Sequence, residues 1–429
     1  MTDTVFALAT PPGRGAIAVV RLSGPRTADV LAALAGRLPA PRFAALRTLR
    51  HDGARLDEAL VLWFPAPASY TGEDVAELHL HGGRAVVDGV LGALSALGAR
   101  PAEPGEFTRR AFENGRMDLA QAEAVADLID AESAAQTRQA LGQLGGALGA
   151  VYAGFRADLL QALSLVEAEI DFPDEEVPDN LAATAGPALD RLAADLRHAL
   201  SDGDRGERVR EGYRIVLIGE TNAGKSALFN ALVAQDAAIV TPIAGTTRDV
   251  LDAQLVIDGY AVTLSDTAGL RESADLVEAE GVRRARARAE AADLRLWVRA
   301  PGDPDGEAAA FVRPDDLTVN TKADLTPASG LAVSSVTGQG IAELHAAIAE
   351  RLRRDLAGAD FPAVTRARHR LRLTEALNAV VAARGALAIA PEMAGDDLRR
   401  AAAALAQVTG AIGVEDVLGE VFANFCIGK

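Results

Sequence analysis

The sequence predicts a multidomain chain of α/β plus all-α class: an N-terminal α/β domain, a helical bundle domain, and a doubly wound α/β domain inserted into that bundle. Three observations carry the prediction. Gly219-Glu220-Thr221-Asn222-Ala223-Gly224-Lys225-Ser226 stands between an apolar run, Tyr213–Ile218, and a helical pattern that begins at Ala227. That is the strand–loop–helix context of a phosphate-binding loop. Short β-rich pieces broken by Pro and Gly turns fill the chain up to about residue 118. Amphipathic helical texture then appears on both sides of the middle segment, as expected when one bundle is interrupted by an insertion. The expected boundaries are 1–118 for the N-terminal domain, 119–210 and 359–429 for the two parts of the helical domain, and 211–358 for the insertion.

Composition narrows the function classes. A net charge of −17 over 429 residues excludes a protein that coats nucleic acid electrostatically, so any RNA contact is local or made by a partner. A single cysteine rules out an intrachain disulfide and suits a reducing compartment. No apolar run approaches the ~20 residues of a membrane span, and the N-terminus lacks a signal-peptide pattern. A cytoplasmic protein with no membrane partner is expected.

In chain order, Ala16–Leu22, Glu58–Phe64 and Val75–Leu80 read as strands, with helices at Thr27–Leu34 and Ala85–Leu97 between them. Arg21 and Glu77 sit inside two of these strands. Period-two alternation onto a solvated face accounts for both without assigning a function. His79 and His81 occupy alternate positions of one strand, but no neighbouring cysteine or third ligand supports a metal site. Helical periodicity runs through Asp118–Asp130, Leu141–Glu169, Ala182–Leu200, Thr365–Ile389, Asp397–Val408 and Val414–Phe422. Linkers are expected at Asp171–Asn180, Asp202–Glu211 and Ala357–Pro362. The basic run Arg366, Arg368, His369, Arg370, Arg372 reads as a solvated helix face or, less simply, as a partner or RNA contact.

The middle domain identifies its nucleotide. Backbone N–H groups of the glycine loop and the following helix N-terminus cradle phosphates, Lys225 reaches the β- and γ-phosphates, and Ser226 offers its hydroxyl to Mg²⁺. Thr241-Pro242-Ile243-Ala244-Gly245-Thr246-Thr247 reads as a switch whose Thr247 adds a second Mg²⁺ ligand. A hairpin with an Asp258-Gly259 turn delivers Asp266-Thr267-Ala268-Gly269, in which Asp266 holds Mg²⁺ through water and Gly269 approaches the γ-phosphate. In Thr321-Lys322-Ala323-Asp324 the carboxylate can accept both N1–H and N2–H₂ of guanine, donors that adenine lacks. Ser334-Ser335-Val336 would lay a backbone N–H near guanine O6.

With these motifs in order, the domain resembles a translation-factor-class, Ras-like GTPase domain. That class usually carries Asn where this chain has Thr321. Thr is shorter and lacks the amide's double role, so weakened nucleotide affinity with intact base choice is expected.

Outside the domain, Thr10–Ile17, Pro104–Phe112, Asp118–Glu123 and Cys426-Ile427-Gly428-Lys429 extend the resemblance over essentially the whole chain. Together they are similar to the bacterial tRNA-modification GTPases of the MnmE (TrmE) family. The resemblance implies a 5-formyl-tetrahydrofolate-type site and homodimerisation in the N-terminal domain. It also implies a heterotetrameric or larger complex with the FAD protein MnmG, tRNA reached largely through MnmG, and modification of C5 of the wobble uridine. The family's folate positions fall on Arg21, Glu77, Lys429 and Arg116, where the family usually carries Lys. Its K⁺ site falls on Asn222 with Thr241, Ile243 and Thr246, and its water-positioning carboxylate on Glu278. Cys426 stands close to the folate in this picture and acts in the modification chemistry. A ribosome-assembly GTPase and a folate-dependent one-carbon transferase with an incidental GTPase are the alternative readings.

Overall fold

The computed structural model describes residues 3–171, 180–235, 252–266, 286–303, 307–358 and 361–410, together with Phe422, Phe425 and Gly428. Two compact units divide it: 1–126 with 143–189 and 378–429, and 127–142 with 190–377.

The first unit opens with a six-stranded sheet. Its strands are β1 (Val5–Leu8), β2 (Ile17–Ser23), β3 (Ala45–His51), β4 (Ala54–Phe64), β5 (Val75–His81) and β6 (Arg100–Pro101), in the order β3-β4-β5-β2-β1-β6. All pairs are antiparallel except β1–β6. Period-two burial puts Val20, Leu22, Leu78 and Leu80 on one face, against Val30, Leu31 and Leu34 of α1 (Thr27–Ala35) and Val90 and Leu94 of α2 (Arg84–Ala96). The other face meets Phe107 of α3 (Glu106–Glu113) through Val5 and Ala7.

A charged cluster stitches α3 to the start of β1. Arg110 is fully buried and donates to Glu106, Glu73 and Asp3 at 2.8, 3.0 and 2.9 Å. Arg100 adds bonds to Glu106 at 2.6 and 2.9 Å. Arg110 and Glu106, both removed from water, survive as charges because each is paired, and Glu73, Asp3 and Arg100 supply the outer partners.

Helical packing completes this unit. α4 (Leu119–Asp130) starts from a reciprocal cap, with Asp118 Oδ1 accepting from Gln121 N and Gln121 Oε1 accepting from Asp118 N. The periodic stretch 141–169 is split: α5 (Ala134–Leu144) ends before Gly146, which has φ 88°, and α6 (Ala147–Asp171) begins after it. α6 packs on α11 (Pro391–Thr409), where Gly395 admits Val166 and Ile170.

The second unit holds a sheet of β7 (Tyr213–Ile218), β8 (Asp252–Ile257), β9 (Tyr260–Asp266), β10 (Leu294–Arg299), β11 (Leu317–Asn320) and β12 (Leu331–Ala332), in the order β12-β11-β10-β7-β9-β8. Only β8 runs antiparallel to its neighbour. Ile215 and Leu217 face α8 (Lys225–Gln235) and α9 (Ile341–Leu356), while Val216 and Ile218 face Ala289, Ala292 and Phe311. Apolar burial on both faces is what a doubly wound sheet requires.

Two expectations are corrected here. Residues 202–211 are the last turns of α7 (Gly186–Glu211) and form no linker. Arg205 pairs with Asp202 within that helix, and Gly203 and Gly206 leave room for the returning chain: a Cβ at Gly206 would lie 2.2 Å from Val364 O. The basic run is neither a solvated face nor a free docking patch. Arg366 binds Asp127 at 2.5 Å, and Arg370 binds Asp204 and Glu207 at 2.6 and 3.0 Å. It fastens the start of α10 (Ala367–Ala386) to α7 and α4.

Acid sensitivity follows from the N-terminal cluster. Burial pushes the Asp3 and Glu106 carboxyls up, but hydrogen bonds and charge from Arg100 and Arg110 outweigh it and hold both below the ordinary carboxylate range. Groups lowered on folding stabilise fully above the unfolded pKa, about 4, and that stability is lost as pH falls through the folded values. Thermal melts should therefore lose stability as pH falls from about 5 toward 3, and Glu106→Gln should flatten that loss. Arg110→Leu should cost about 3–5 kcal/mol at neutral pH, because three carboxylates lose their buried partner.

Candidate functional site

The predicted nucleotide site assembles at the carboxyl ends of β7, β9, β10 and β11, the position ligands take in doubly wound sheets. Gly219 leaves β7 at φ 152°, and a Cβ there would lie 2.2 Å from Val298 O. Only glycine lets the loop pass so close to β10. Asn222 then adopts φ 64° and Gly224 φ 95°, curling the backbone ahead of α8. Lys225 Nζ donates to Gly219 O and Glu220 O, both at 2.8 Å, so the ammonium spans the mouth of its own loop. Ser226 Oγ donates to Asp266 Oδ2 at 2.6 Å. A hydroxyl and a carboxylate from separate elements therefore converge, and such hard oxygen ligands suit Mg²⁺.

The base-recognition loops join the phosphate loop through Thr321. Its hydroxyl lies 2.6 Å from Ala223 O and 3.0 Å from Arg299 O, while its N–H donates to Arg299 O at 2.8 Å. The tether expected to suffer from an Asn-to-Thr departure is present, made by the hydroxyl. Asn320 cannot share the task, because its Nδ2 donates to Ser329 O. Lys322 follows with φ 55°, a turn that leaves Asp324 exposed to solvent. Ala323 N donates to Val333 O, which brings Ser334, Ser335 and Val336 alongside; Ser334 Oγ in turn accepts from Val336 N. The structure thus brings together Asn222–Ala227, Asp266, Thr321–Asp324 and Ser334–Val336. Thr241–Thr247, Thr267–Gly269 and Glu278 lie outside the described residues.

The N-terminal candidates form a second cluster. Arg21 and Glu77 are cross-strand partners on β2 and β5. Arg21 donates to Glu77 Oε1 through Nε at 3.0 Å and Nη2 at 2.8 Å. They are therefore half-buried counter-ions, where alternation alone suggested two solvated side chains. Glu77 Oε2 lies 3.5 Å from His79 Nε2. The Arg21 guanidinium also sits 5.3 Å from the ring centre of Tyr70 and 5.8 Å from that of Phe107. Sequence reading missed this aromatic pair; no local pattern links residues so far apart in the chain, and only the fold brings them under Arg21.

Arg116 is exposed, its stem packed over Gly72. Gly72 and Tyr70 belong to one loop between β4 and β5, so that loop serves both Arg21 and Arg116. His81 turns away to Asp57, 2.7 Å from its Nδ1.

Cys426 and Lys429 lie outside the described residues, but three neighbours mark the tail. Phe422 and Phe425 pack with Ala122, Phe112 and Met117, and both crowd Gly105. Gly428 has φ 102°, and a Cβ there would come 2.5 Å from Leu8 O. Leu8 ends β1, one residue from Ala7, the strand partner of Arg21.

Thr321 supplies the test. Thr321→Val keeps the shape but leaves Ala223 O without its buried donor. GTP affinity should fall by about 1–3 kcal/mol, roughly 5- to 150-fold. Thr321→Ser should bind like the parent, and preference for GTP over ATP should survive both changes, since Asp324 is untouched. Thr321→Asn should not tighten binding, because the site is buried and the Thr321 hydroxyl already makes the tether to Ala223 O. Calorimetric titration of the three variants with GTP and ATP checks each point.

Two family models cover the chain: "GTP-binding protein TrmE N-terminus" over residues 4–116 and "MnmE helical domain" over residues 119–426. Among curated proteins, the tRNA modification GTPase MnmE of Caulobacter vibrioides is 55% identical over 451 aligned residues, covering 100% of both chains. Proteins of the same name from Phenylobacterium zucineum and Parvibaculum lavamentivorans are 53% and 52% identical, again covering 100% of both chains. With both models and full-length relatives in agreement with the phosphate loop, the guanine-reading loop and the N-terminal cluster, the chain belongs to the MnmE (TrmE) family of tRNA modification GTPases.

Proposed function

We propose that the chain is a K⁺-dependent GTPase that works with MnmG to modify C5 of the wobble uridine of tRNA. The product is an aminomethyl or carboxymethylaminomethyl group, and the one-carbon donor is a formyl-tetrahydrofolate derivative held in the N-terminal domain. One observation carries the modification part of this reading. Gly428, next to the chain end, lies against Leu8 and Ala9 in the domain that holds Arg21 and Glu77. A tail that bears the only thiol is thereby tied to the proposed folate site.

Each residue has a task in this reading. Asp324 accepts from the guanine edge, Lys225 neutralises phosphate charge, Ser226 and Thr247 would ligate Mg²⁺, and Asp266 would hold it through water. Bound Mg²⁺ and K⁺ supply positive charge where the β–γ bond develops negative charge. Asn222 offers a side-chain oxygen toward K⁺, with Thr241, Ile243 and Thr246 as its companions, and Glu278 orients the attacking water. Glu77 keeps Oε2 clear of Arg21, so it retains an acceptor for the amino-pyrimidinone edge of a pterin. Arg116 and Lys429 suit a carboxylate-bearing tail. The bound folate supplies the one-carbon unit, and FAD enters only with MnmG. The exposed Leu46 and Leu60, directly opposed on β3 and β4, fit self-association of the N-terminal domain as a homodimer.

Nucleoside analysis of tRNA from cells lacking the protein is the decisive experiment: loss of the modified wobble uridine is expected, and an unchanged nucleoside profile would leave the assembly-GTPase reading standing. GTP turnover at equal ionic strength should be high in K⁺ and low in Na⁺; equal rates would sink the K⁺ assignment. Cys426→Ser should preserve GTP hydrolysis and abolish the modified uridine. Wild-type modification by that variant would make Cys426 a packing residue.

A further inference from the structure

We propose that the first turn of α5 receives the nucleotide state of the GTPase domain, and that the Asp258-Gly259 turn between β8 and β9 delivers it. The proposal rests on the reading that GTP hydrolysis drives the modification.

β8 and β9 form an unbroken ribbon, paired without register shift from Asp252↔Ser265 to Ile257↔Tyr260. At its open end stands Asp266, bonded to Ser226 of the phosphate site. A cation that takes a lone pair of the Ser226 hydroxyl or of the Asp266 carboxylate loads this 2.6 Å pair, and the load falls on the end of β9. β9 is laddered to β7 only from Val262 to Asp266. The turn therefore overhangs the sheet, so a tilt of the ribbon appears at its tip.

The tip is gripped from outside the ribbon. Gly259 O accepts from Ala135 N at 3.0 Å, and Asp258 pairs with Arg353 of α9 at 2.8 Å. Ala135 belongs to the first turn of α5, framed by a cap in which Gln136 Oε1 accepts from Ser133 N and Oγ while Ser133 Oγ accepts from Gln136 N. First-turn amides have no acceptor within their helix, so the Gly259 carbonyl is what satisfies Ala135 N. Ala135 is also buried in the core that holds Ile257 and the strands of the GTPase domain. Gln136 Nε2 adds a bond to Arg210 O, just ahead of β7 and the phosphate loop. One helical turn thus touches both the end of α7, just ahead of β7, and the ribbon that leads out of the metal site. α5 then runs on to Leu144 in the helical domain.

Hydrogen exchange of the full-length chain, loaded with GDP or with a non-hydrolysable GTP analogue, reads the joint directly. The Ala135 amide has one acceptor to lose, so its exchange should differ between the two states by about tenfold. Equal exchange would overturn the proposal. Ala135→Pro removes the donor in a first turn, where a helix tolerates proline. It should leave GTP turnover within about twofold of the parent and abolish modified uridine; modification at the parent rate would overturn the proposal. Where that variant fails to fold, the exchange result on the unsubstituted chain decides. If the parent itself modifies no tRNA while the exchange difference persists, the modification reading fails and the joint stands.

Discussion

A domain inserted into a bundle leaves that bundle's chain by one segment and returns by another, and the two must be held side by side. Here glycine makes the grip possible. Gly203 and Gly206 on α7 accept Val364 and Pro362 of the returning chain at distances no side chain would allow. Arg210 binds Thr365 O, and Gln139 binds Gly206 O from α5. Arg366 and Arg370 then lock α10 to Asp127, Asp204 and Glu207. Glycine in a helix interior costs roughly 0.5–1 kcal/mol relative to alanine, and the close approach it permits offsets that cost. The phosphate loop, the ribbon and the base-reading loop inherit their positions from a sheet anchored in this way.

How much of this was legible in the sequence depended on whether the signal was local. The phosphate loop, the Asp258-Gly259 turn and the Asp324 loop are contiguous patterns with a steric or hydrogen-bonding reason for each residue, and the fold places them as expected. β3 went unread because its Leu46, Leu49 and His51 are mixed with Arg47 and Arg50; cross-strand pairing with β4 stabilises it where its own pattern does not. Residues 202–211 looked like a linker because charge and glycine suggest one, and only the returning chain shows why those glycines sit in a helix. The basic run carried no sequence sign of its partners, which lie far away in the chain. Arg21 and Glu77 were visible as anomalies within strands, but their ion pair depends on a register that alternation cannot supply.

The two sites manage charge differently. Around Arg110 every charge is matched, with Arg110 and Glu106 fully buried, which rigidifies this part of the N-terminal domain but leaves little for a ligand. Glu77 keeps one oxygen clear of Arg21, and the Arg21 guanidinium sits 5.3 and 5.8 Å from the ring centres of Tyr70 and Phe107. A partly satisfied pair on a rigid sheet is the arrangement a binding site needs, because the remaining capacity points in a fixed direction.

Asn222 and Lys322 share a further property: each is a side-chain-bearing residue at positive φ, one in the phosphate loop and one in the base-reading loop. Such a conformation costs roughly 1–2 kcal/mol for a residue with a Cβ, less for Asn. That cost is borne when the chain folds, before any nucleotide arrives. Both loops are therefore shaped in advance, and a nucleotide that docks between them has less chain disorder to remove. Glycine at either position would relax the backbone and make the protein easier to fold, while handing the task of ordering the loop back to the ligand.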